Sequence, residues 1–599
     1  MSRSPVRVPA RTLAGLLTAL VLSTAPSLAQ DRGPQPTCIT GVRLGRGEDA
    51  KKVQLVLVDG RIQAVLDSDE ETPKGMHLVD GEGLLALPAF VDAYTTTGVE
   101  TPEPVAERDI PVDTGKDVRV DMREANRKGI EPSFRAAEAL AIEASASEAW
   151  GEAGFGIAHV APSGELLSGT SCVAETRVAA MRDLILVADA FQTAGFQARG
   201  RGYPSTLMGY IAQLQQFFLD SIRHGQLQER FEAGRPGPRP SFDPDLEAGL
   251  GILNAEGRLL CAAASHRDVE RWFDLADQFH FRIAIVGDGD VWRAARSLAA
   301  RKVPVILSLD WGKEVDDPDA EKREEKEEEA EESPGEESEE AAEEVSETVW
   351  EYTEPLGVRR ERRRLWEEKR DAAIVLQRAG VPIVFGTKAR APKKLLEGVR
   401  ELIEAGFAAE DALDSLTTGA AELLGLADRV GKLEPGYDAT LALWSADPLT
   451  DKKAHVAWIF VEGYGKEFEL PEEGADTGGA PEEGLDVSGD WTLTSTGEDG
   501  EAIEATLTLE MEEDGDASGK IVQPNPMEGG TMTIEVSGHV SGTTIYLEGT
   551  SEVQGLEIEF EYELNVDGDD LSGEATVHVP VMPEPITLDV SGHRNPEVR

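Results

Sequence analysis

The side chains able to do chemistry are few in this sequence, and their spacing is unhelpful to a metal. Nine histidines occur: His77, His159, His224, His266, His280, His455, His539, His578 and His593. No two are spaced as His-x-His or His-x-x-x-His, and Cys38, Cys172 and Cys261 form no Cys-x-x-Cys. Such spacings are what place two donors on one strand end or one helix face for a shared cation. His266 stands nearest a predicted strand end, but it also opens the next helical pattern, and a helix start is the expected role. His280 precedes its strand, the wrong end for barrel chemistry. Asp288, Asp290 and Asp310 follow predicted strands and could offer carboxylates for acid–base work or a cation. Their simpler roles, as caps and solvated loop residues, are preferred. His159 and Cys172 are close in sequence, which alone does not make a nucleophile and its base. Gly287-Asp288-Gly289 lacks the third glycine of a dinucleotide-binding loop.

The elements that must position these groups follow from periodicity. From about 36 to 87 the chain alternates as short strands, with Asp59-Gly60 between two apolar runs as a hairpin signal. From 88 to 430 short apolar strands alternate with amphipathic helices. Phe155 to Val160, Leu184 to Val187, Leu259 to Ala263, Arg282 to Val286, Val303 to Leu307 and Pro382 to Phe385 read as strands. Val269 to Gln278 and Val291 to Ala300 read as helices between them, and Met208 to Arg223 as an additional long one whose aromatic and leucine stripe is core. This is an α/β pattern, and a (β/α)8 barrel fits its length. Pro471 to Gly484 reads as part of a linker over 466–484. From 485 to 599 short strands and Asp-Gly or Ser-Gly turns predict an all-β domain, a sandwich or barrel.

Three segments resemble the amidohydrolase superfamily. The first is Leu57-Val58-Asp59-Gly60-Arg61-Ile62-Gln63-Ala64-Val65 with Val79-Asp80-Gly81-Glu82-Gly83. The second, Pro88-Ala89-Phe90-Val91-Asp92-Ala93-Tyr94-Thr95-Thr96-Thr97-Gly98, looks like the family's first barrel strand, P-G-F-I-D-A-H-x-H. The third runs from Leu416-Thr417-Thr418-Gly419-Ala420-Ala421-Glu422 through Gly431-Lys432-Leu433-Glu434-Pro435-Gly436 to Leu443-Trp444, like the family's closing helix and its return to a small β module. The resemblance implies a barrel over 88–430 and a module built from 36–87 and 431–465. It also implies a hydrolase of non-peptide C–N bonds whose divalent metal lowers the pKa of a bound water. The family's two strand-1 histidines fall here on Tyr94 and Thr96, and its strand-8 aspartate falls on Lys388 in Gly386-Thr387-Lys388. A neutral phenol and hydroxyl are poor ligands and an ammonium repels a cation, so the metal expected of the family has no ligands at these positions. Tyr94, Thr96 and Lys388 become the candidate pocket, with His266 and Asp310 as weaker candidates. Two readings stay open: a hydrolase with a degenerate site, and an inactive member that binds a ligand or acts as a scaffold.

Charge bears on partners. The chain has 113 Asp and Glu against 58 Lys and Arg, a net charge of -55. Residues 314–347 hold 19 acids and 3 bases, and 466–599 hold 33 acids and 4 bases, so all other residues together are only mildly acidic. Nucleic acid and anionic lipid are repelled by such a surface. The Glu-rich insert 314–347 reads as a solvated loop. Arg3, Arg7 and Arg11, the apolar run Leu13 to Leu22 and Ser27-Leu28-Ala29 read as a secretory signal over 1–29, with Gln30 as the mature start. A periplasmic or secreted protein with a small-molecule partner and no membrane span is expected.

Overall fold

The computed structural model describes residues 33–595 apart from 48–49, 102–127, 200–203, 255–257, 288, 313, 316, 319–354, 469–486, 497–501, 512–515, 525–530, 542, 554–555, 569 and 579–585. The expected leader, most of the acidic insert and of the linker, and Asp288 lie outside the described residues.

The chain first builds half of a small sheet: β1 (Thr37–Leu44), β2 (Lys51–Val58), β3 (Arg61–Asp67), β4 (His77–Asp80) and β5 (Leu85–Pro88). The β2–β3 hairpin turns on Asp59 and Gly60, with φ of 51° and 75°. Two successive positive φ values match the right-handed twist of paired strands, which is why Asp-Gly serves there.

Ten strands follow, all but β10 forming a ring: β6 (Phe90–Thr95), β7 (Phe155–Val160), β8 (Leu167–Thr170), β9 (Cys172–Glu175), β10 (Ile185–Val187), β11 (Gln192–Ala194), β12 (Arg258–Ala263), β13 (Arg282–Gly287), β14 (Val305–Leu307) and β15 (Ile383–Phe385). β6 pairs with β7 in parallel, and β11 to β15 pair in parallel order. A parallel bridge between Thr95 and Lys388 links β15 back to β6. Residues 167–175 bridge the remaining gap. Their first half pairs with β11 and their second with β7, both antiparallel. The expected (β/α)8 repeat is therefore met by seven parallel strand positions, while the eighth runs in the opposite direction. The predicted strand at Leu184 to Val187 is not in the ring. It forms β10, an edge strand on β9.

Helices cover the ring as amphipathic faces. Helix His266–Phe279 starts at Ser265, whose side chain accepts from the Asp268 N–H while the Asp268 carboxylate accepts from the Ser265 N–H, and it buries Val269, Trp272, Phe273 and Leu275. Reciprocal capping of this kind satisfies two otherwise orphaned donors. The long helix extends over Leu207–Glu232, nine residues past the end read from sequence, with Leu214, Phe217 and Phe218 buried. The charged run Glu361 to Arg378 is carried by two helices, Leu356–Arg370 and Ala372–Arg378.

The chain then returns to the small sheet with β16 (Leu441–Trp444), β17 (Val456–Val461) and β18 (Tyr464–Glu467), giving the order β18-β17-β16-β5-β1-β2-β3 with β4 on β1. Eight more strands, from β19 (Gly489–Thr496) to β26 (Ile586–Arg594), close into an antiparallel barrel rather than a sandwich. Trp491, Leu493, Leu507, Ile521, Ile534 and Leu564 fill it. Alternation sends every second side chain outward, so Glu535 and Glu548 are exposed while Val536 and Leu547 are buried.

Candidate functional site

A cavity of about 550 Å3 opens where the parallel strands end. Residues at or just past the ends of β6, β7, β11, β12, β13 and β15 line it: Tyr94 and Thr96, Ser163 and Glu165, Gly195 to Gln197, Ala264, Gly289, and Lys388. Chemistry in α/β barrels sits at this end because the loops there are free to vary without disturbing the packed ring.

The sequence-derived trio is brought together by backbone pairing between β6 and the segment after β15. Lys388 N–H donates to the Tyr94 carbonyl at 2.8 Å, and the Lys388 carbonyl accepts from the Thr96 N–H at 2.7 Å. The Thr95 and Thr96 hydroxyls also donate to that carbonyl, each at 3.2 Å. Gly386 makes this approach possible, since a Cβ there would lie 2.5 Å from Tyr94 N and 2.7 Å from Tyr94 O. Lys388 itself is held at φ 62°, a left-handed conformation unusual for lysine.

Below the cavity, Asp92 is fully buried. Its Oδ1 accepts from Thr387 N–H at 2.9 Å and Tyr94 N–H at 3.3 Å, and its Oδ2 from the Thr387 hydroxyl at 2.6 Å and the Trp150 indole at 3.3 Å. Burial raises its pKa to about 6, although all four donors favour the anion. His159 is also fully buried, with Nδ1 2.7 Å from the Ala93 carbonyl and Nε2 2.7 Å from the Ser171 hydroxyl. Burial lowers its pKa to about 4. The neutral ring then carries its proton on Nδ1, which faces a pure acceptor, an assignment that follows from the partners. Cys172 pairs across the strands with Val160, and burial pushes its thiol up to about 12. Both ring nitrogens of His159 are occupied elsewhere, so it does not pair with Cys172 as base to nucleophile.

The weaker candidates stand apart. The His266 ring and backbone N–H both bond the Asp290 carboxylate, at 2.9 and 2.8 Å, locking it as the first residue of its helix. Asp310 lies 3.8 Å from Arg390, about half exposed. Neither lines the cavity. Lys388 is exposed at the cavity mouth. Sequence reasoning missed Glu165, a cavity wall residue 2 % exposed that accepts from Arg199 Nε at 2.7 Å. Its signal was available: Pro162-Ser163-Gly164-Glu165 directly follows the predicted strand Phe155 to Val160, on the side where loops carry function.

The donor set does not fit a divalent metal. Burial pushes the Tyr94 phenol up to about 12, with Ser163 as its hydrogen-bond partner, so it stays protonated near neutrality. Thr96 offers a neutral hydroxyl and Lys388 an ammonium. Among the described residues no group of three or more His, Cys, Asp or Glu side chains is placed to hold a metal ion.

The family model described as the amidohydrolase family matches residues 335–464. Among solved structures, an amidohydrolase from Thermotoga maritima MSB8 superposes with a TM-score of 0.53 at 18% identity, covering 72% of this chain and 100% of that one. The chain carries the amidohydrolase-superfamily fold. This amidohydrolase-like chain is also similar to a Xaa-Pro dipeptidase with bound methionine, at 13% identity, a TM-score of 0.40, and coverage of 72% and 100%. Phenylurea hydrolase B matches at 15% identity, a TM-score of 0.38, and coverage of 72% and 96%. No curated protein matches the sequence. The amidohydrolase likeness agrees with the resemblance carried by Phe90 to Gly98 and by Leu416 to Trp444.

Proposed function

We propose that this protein is an exported amidohydrolase-fold protein that binds a small organic molecule at the strand ends without the metal centre of its relatives. The observation that carries this reading is the character of the three side chains meeting there, Tyr94, Thr96 and Lys388, all lining one cavity and all unsuited to a cation. The cavity's size falls in the usual range for small-molecule sites, and its wall mixes apolar surface with a few polar groups.

A second reading is a hydrolase of non-peptide C–N bonds acting in the same cavity. A carboxylate (Glu165), a phenol (Tyr94) and an ammonium (Lys388) share its wall, and such groups can move protons to and from a reacting amide. The deciding measurement is metal content of the purified protein together with turnover of cyclic amides and N-acyl amino acids. The binding reading expects neither metal nor turnover. Stoichiometric zinc with turnover overturns it, and turnover without metal establishes the second reading.

Placing the family's ligands back is a separate check on the site. Lys388→Asp combined with Tyr94→His and Thr96→His is expected to raise zinc affinity well above the parent's, measured by titration against a metal indicator. Unchanged affinity would mean that these positions do not correspond to the family's ligand positions.

A further inference from the structure

Resting on the reading of a metal-independent binding cavity, we infer that its ligand is a small molecule with a flat aryl body seated on Phe196 and a polar head turned toward Tyr94. The cavity wall is divided by strand. Around the ring the order runs β6, β7, the reversed stretch, β11, β12, β13, β14 and β15, so β12 stands opposite β6. The ends of β6 and β7 and the loops after them contribute Tyr94, Thr96, Ser163 and Glu165, a hydrogen-bonding side. The ends of β11 to β13 contribute Phe196, Leu260, Ala262, Ala263 and Val286, an apolar side. Apart from Gln197, the polar side chains on that arc of the lining are engaged within the protein. Thr193 donates to the Gly169 carbonyl at 3.1 Å, and Asp268 accepts from Arg271 at 2.6 Å and from the Ser265 N–H at 3.1 Å. A ligand that fills the cavity therefore meets hydrogen-bonding groups at one end and apolar surface at the other.

Phe196 makes the apolar side a platform for a flat ring. It is stacked on Trp272, with centroids 4.2 Å apart and planes 15° apart. Trp272 is fully buried, and its indole N–H donates to the Ala262 carbonyl at 3.0 Å, which fixes the lower ring to β12. Trp272 does not line the cavity, so Phe196 presents to it the ring surface that Trp272 leaves uncovered. An aromatic surface already held in place costs little ordering when a ligand ring stacks on it. Beside it, Ala262 and Ala264 are exposed and carry a single methyl each, which leaves room for that ring. On the other side the Tyr94 phenol stays protonated and can donate to an acceptor on the head.

Isothermal titration of the full-length protein with benzamide and cyclohexanecarboxamide tests this, because the two share a head and differ in whether the ring is flat. Benzamide is expected to bind saturably at millimolar concentration, about threefold to tenfold more tightly than cyclohexanecarboxamide, the range of an aromatic stacking contact. Phe196→Leu keeps an apolar side chain and should bring the two amides within about twofold of each other, while Phe196→Tyr should keep the preference. Tyr94→Phe should weaken both amides alike, by about twofold to tenfold. Melting temperature is the folding control for each variant, and the preference shown by the parent protein reads the inference without any variant. No saturable binding of benzamide, equal affinity of the parent for the two amides, or an undiminished preference in folded Phe196→Leu overturns the aryl seat. Unaltered affinity in folded Tyr94→Phe overturns the placing of the head. The two levels fail separately. Zinc with turnover removes the metal-independent reading while a Phe196-dependent preference for a flat ring stands, and a metal-free protein that binds both amides equally does the opposite.

Discussion

Asp92 and His159 are both fully buried, and they respond to acid with opposite sign. His159 has a folded pKa of about 4, depressed from 6.5. Its contribution is fully present above 6.5 and is lost as pH falls toward 4, because only the unfolded chain takes up the proton. At pH 5 that loss is about 2 kcal/mol. Asp92 has a folded pKa of about 6, raised from 3.8. The folded state takes up that proton first, so acidification from pH 7 to 5 adds about 1 kcal/mol. His159→Gln is therefore expected to flatten the fall in stability between pH 7 and pH 5, and Asp92→Asn to steepen it, in urea unfolding at the two pH values. Parallel pH profiles for parent and variants would refute both assignments. These two buried groups were only partly legible in sequence. Asp92 was quoted within the strand-1 motif, yet nothing local says that its four donors come from residues as distant as Trp150 and Thr387. Tyr94, Thr96 and Lys388 were legible because a motif fixes their positions. The place of Glu165 after a predicted strand was legible too, but its pairing with Arg199 was not, because that pairing joins two loops.

Among the elements, the joint between β6 and β15 brings Tyr94, Thr96 and Lys388 together at the cavity. Gly386 sits where any side chain would strike the backbone of Tyr94. Gly386→Ala is expected to destabilise the protein by about 1–3 kcal/mol, the usual cost of forcing atoms into a packed site, and to loosen ligand binding with it. An unchanged melting temperature in calorimetry would show that the two strands are not so closely joined. Five of the strands predicted between 155 and 385 recur in the ring because short apolar runs bounded by turns are a strong signal. The reversed stretch 167–175 was missed for a physical reason: side-chain alternation is the same in both directions along a strand, so periodicity is blind to polarity. The extra nine residues of the long helix were missed because its end, Arg223 to Glu232, is mostly polar and exposed, and carries little amphipathic signal.

At the scale of the molecule, residues 489–594 have a hydrophobic cluster of their own, distinct from that of the ring. Residues 485–599 expressed alone are expected to give a cooperative melt and a β-type circular dichroism spectrum. Added salt should raise that melting temperature, since it screens the repulsion among its many acids. A non-cooperative fragment would show that the barrel depends on the rest of the chain. Export makes an equally direct expectation: intact-mass measurement on protein recovered from the periplasm or medium should give a chain starting at Gln30, and an intact Met1 in that fraction would refute cleavage.

The reversed stretch has one more consequence. In the parallel strands, the residues nearest the cavity come last, so saturation mutagenesis should show loss of binding toward each strand's end and loss of expression toward its start. Along 165–175 the order inverts. Glu165 and Ser168 face the cavity first, and the chain reaches Glu175 alongside Ile157, deep in β7, only afterwards. The map of tolerated substitutions should therefore run backwards through this one segment, a signature by which variant data alone would reveal the strand's direction.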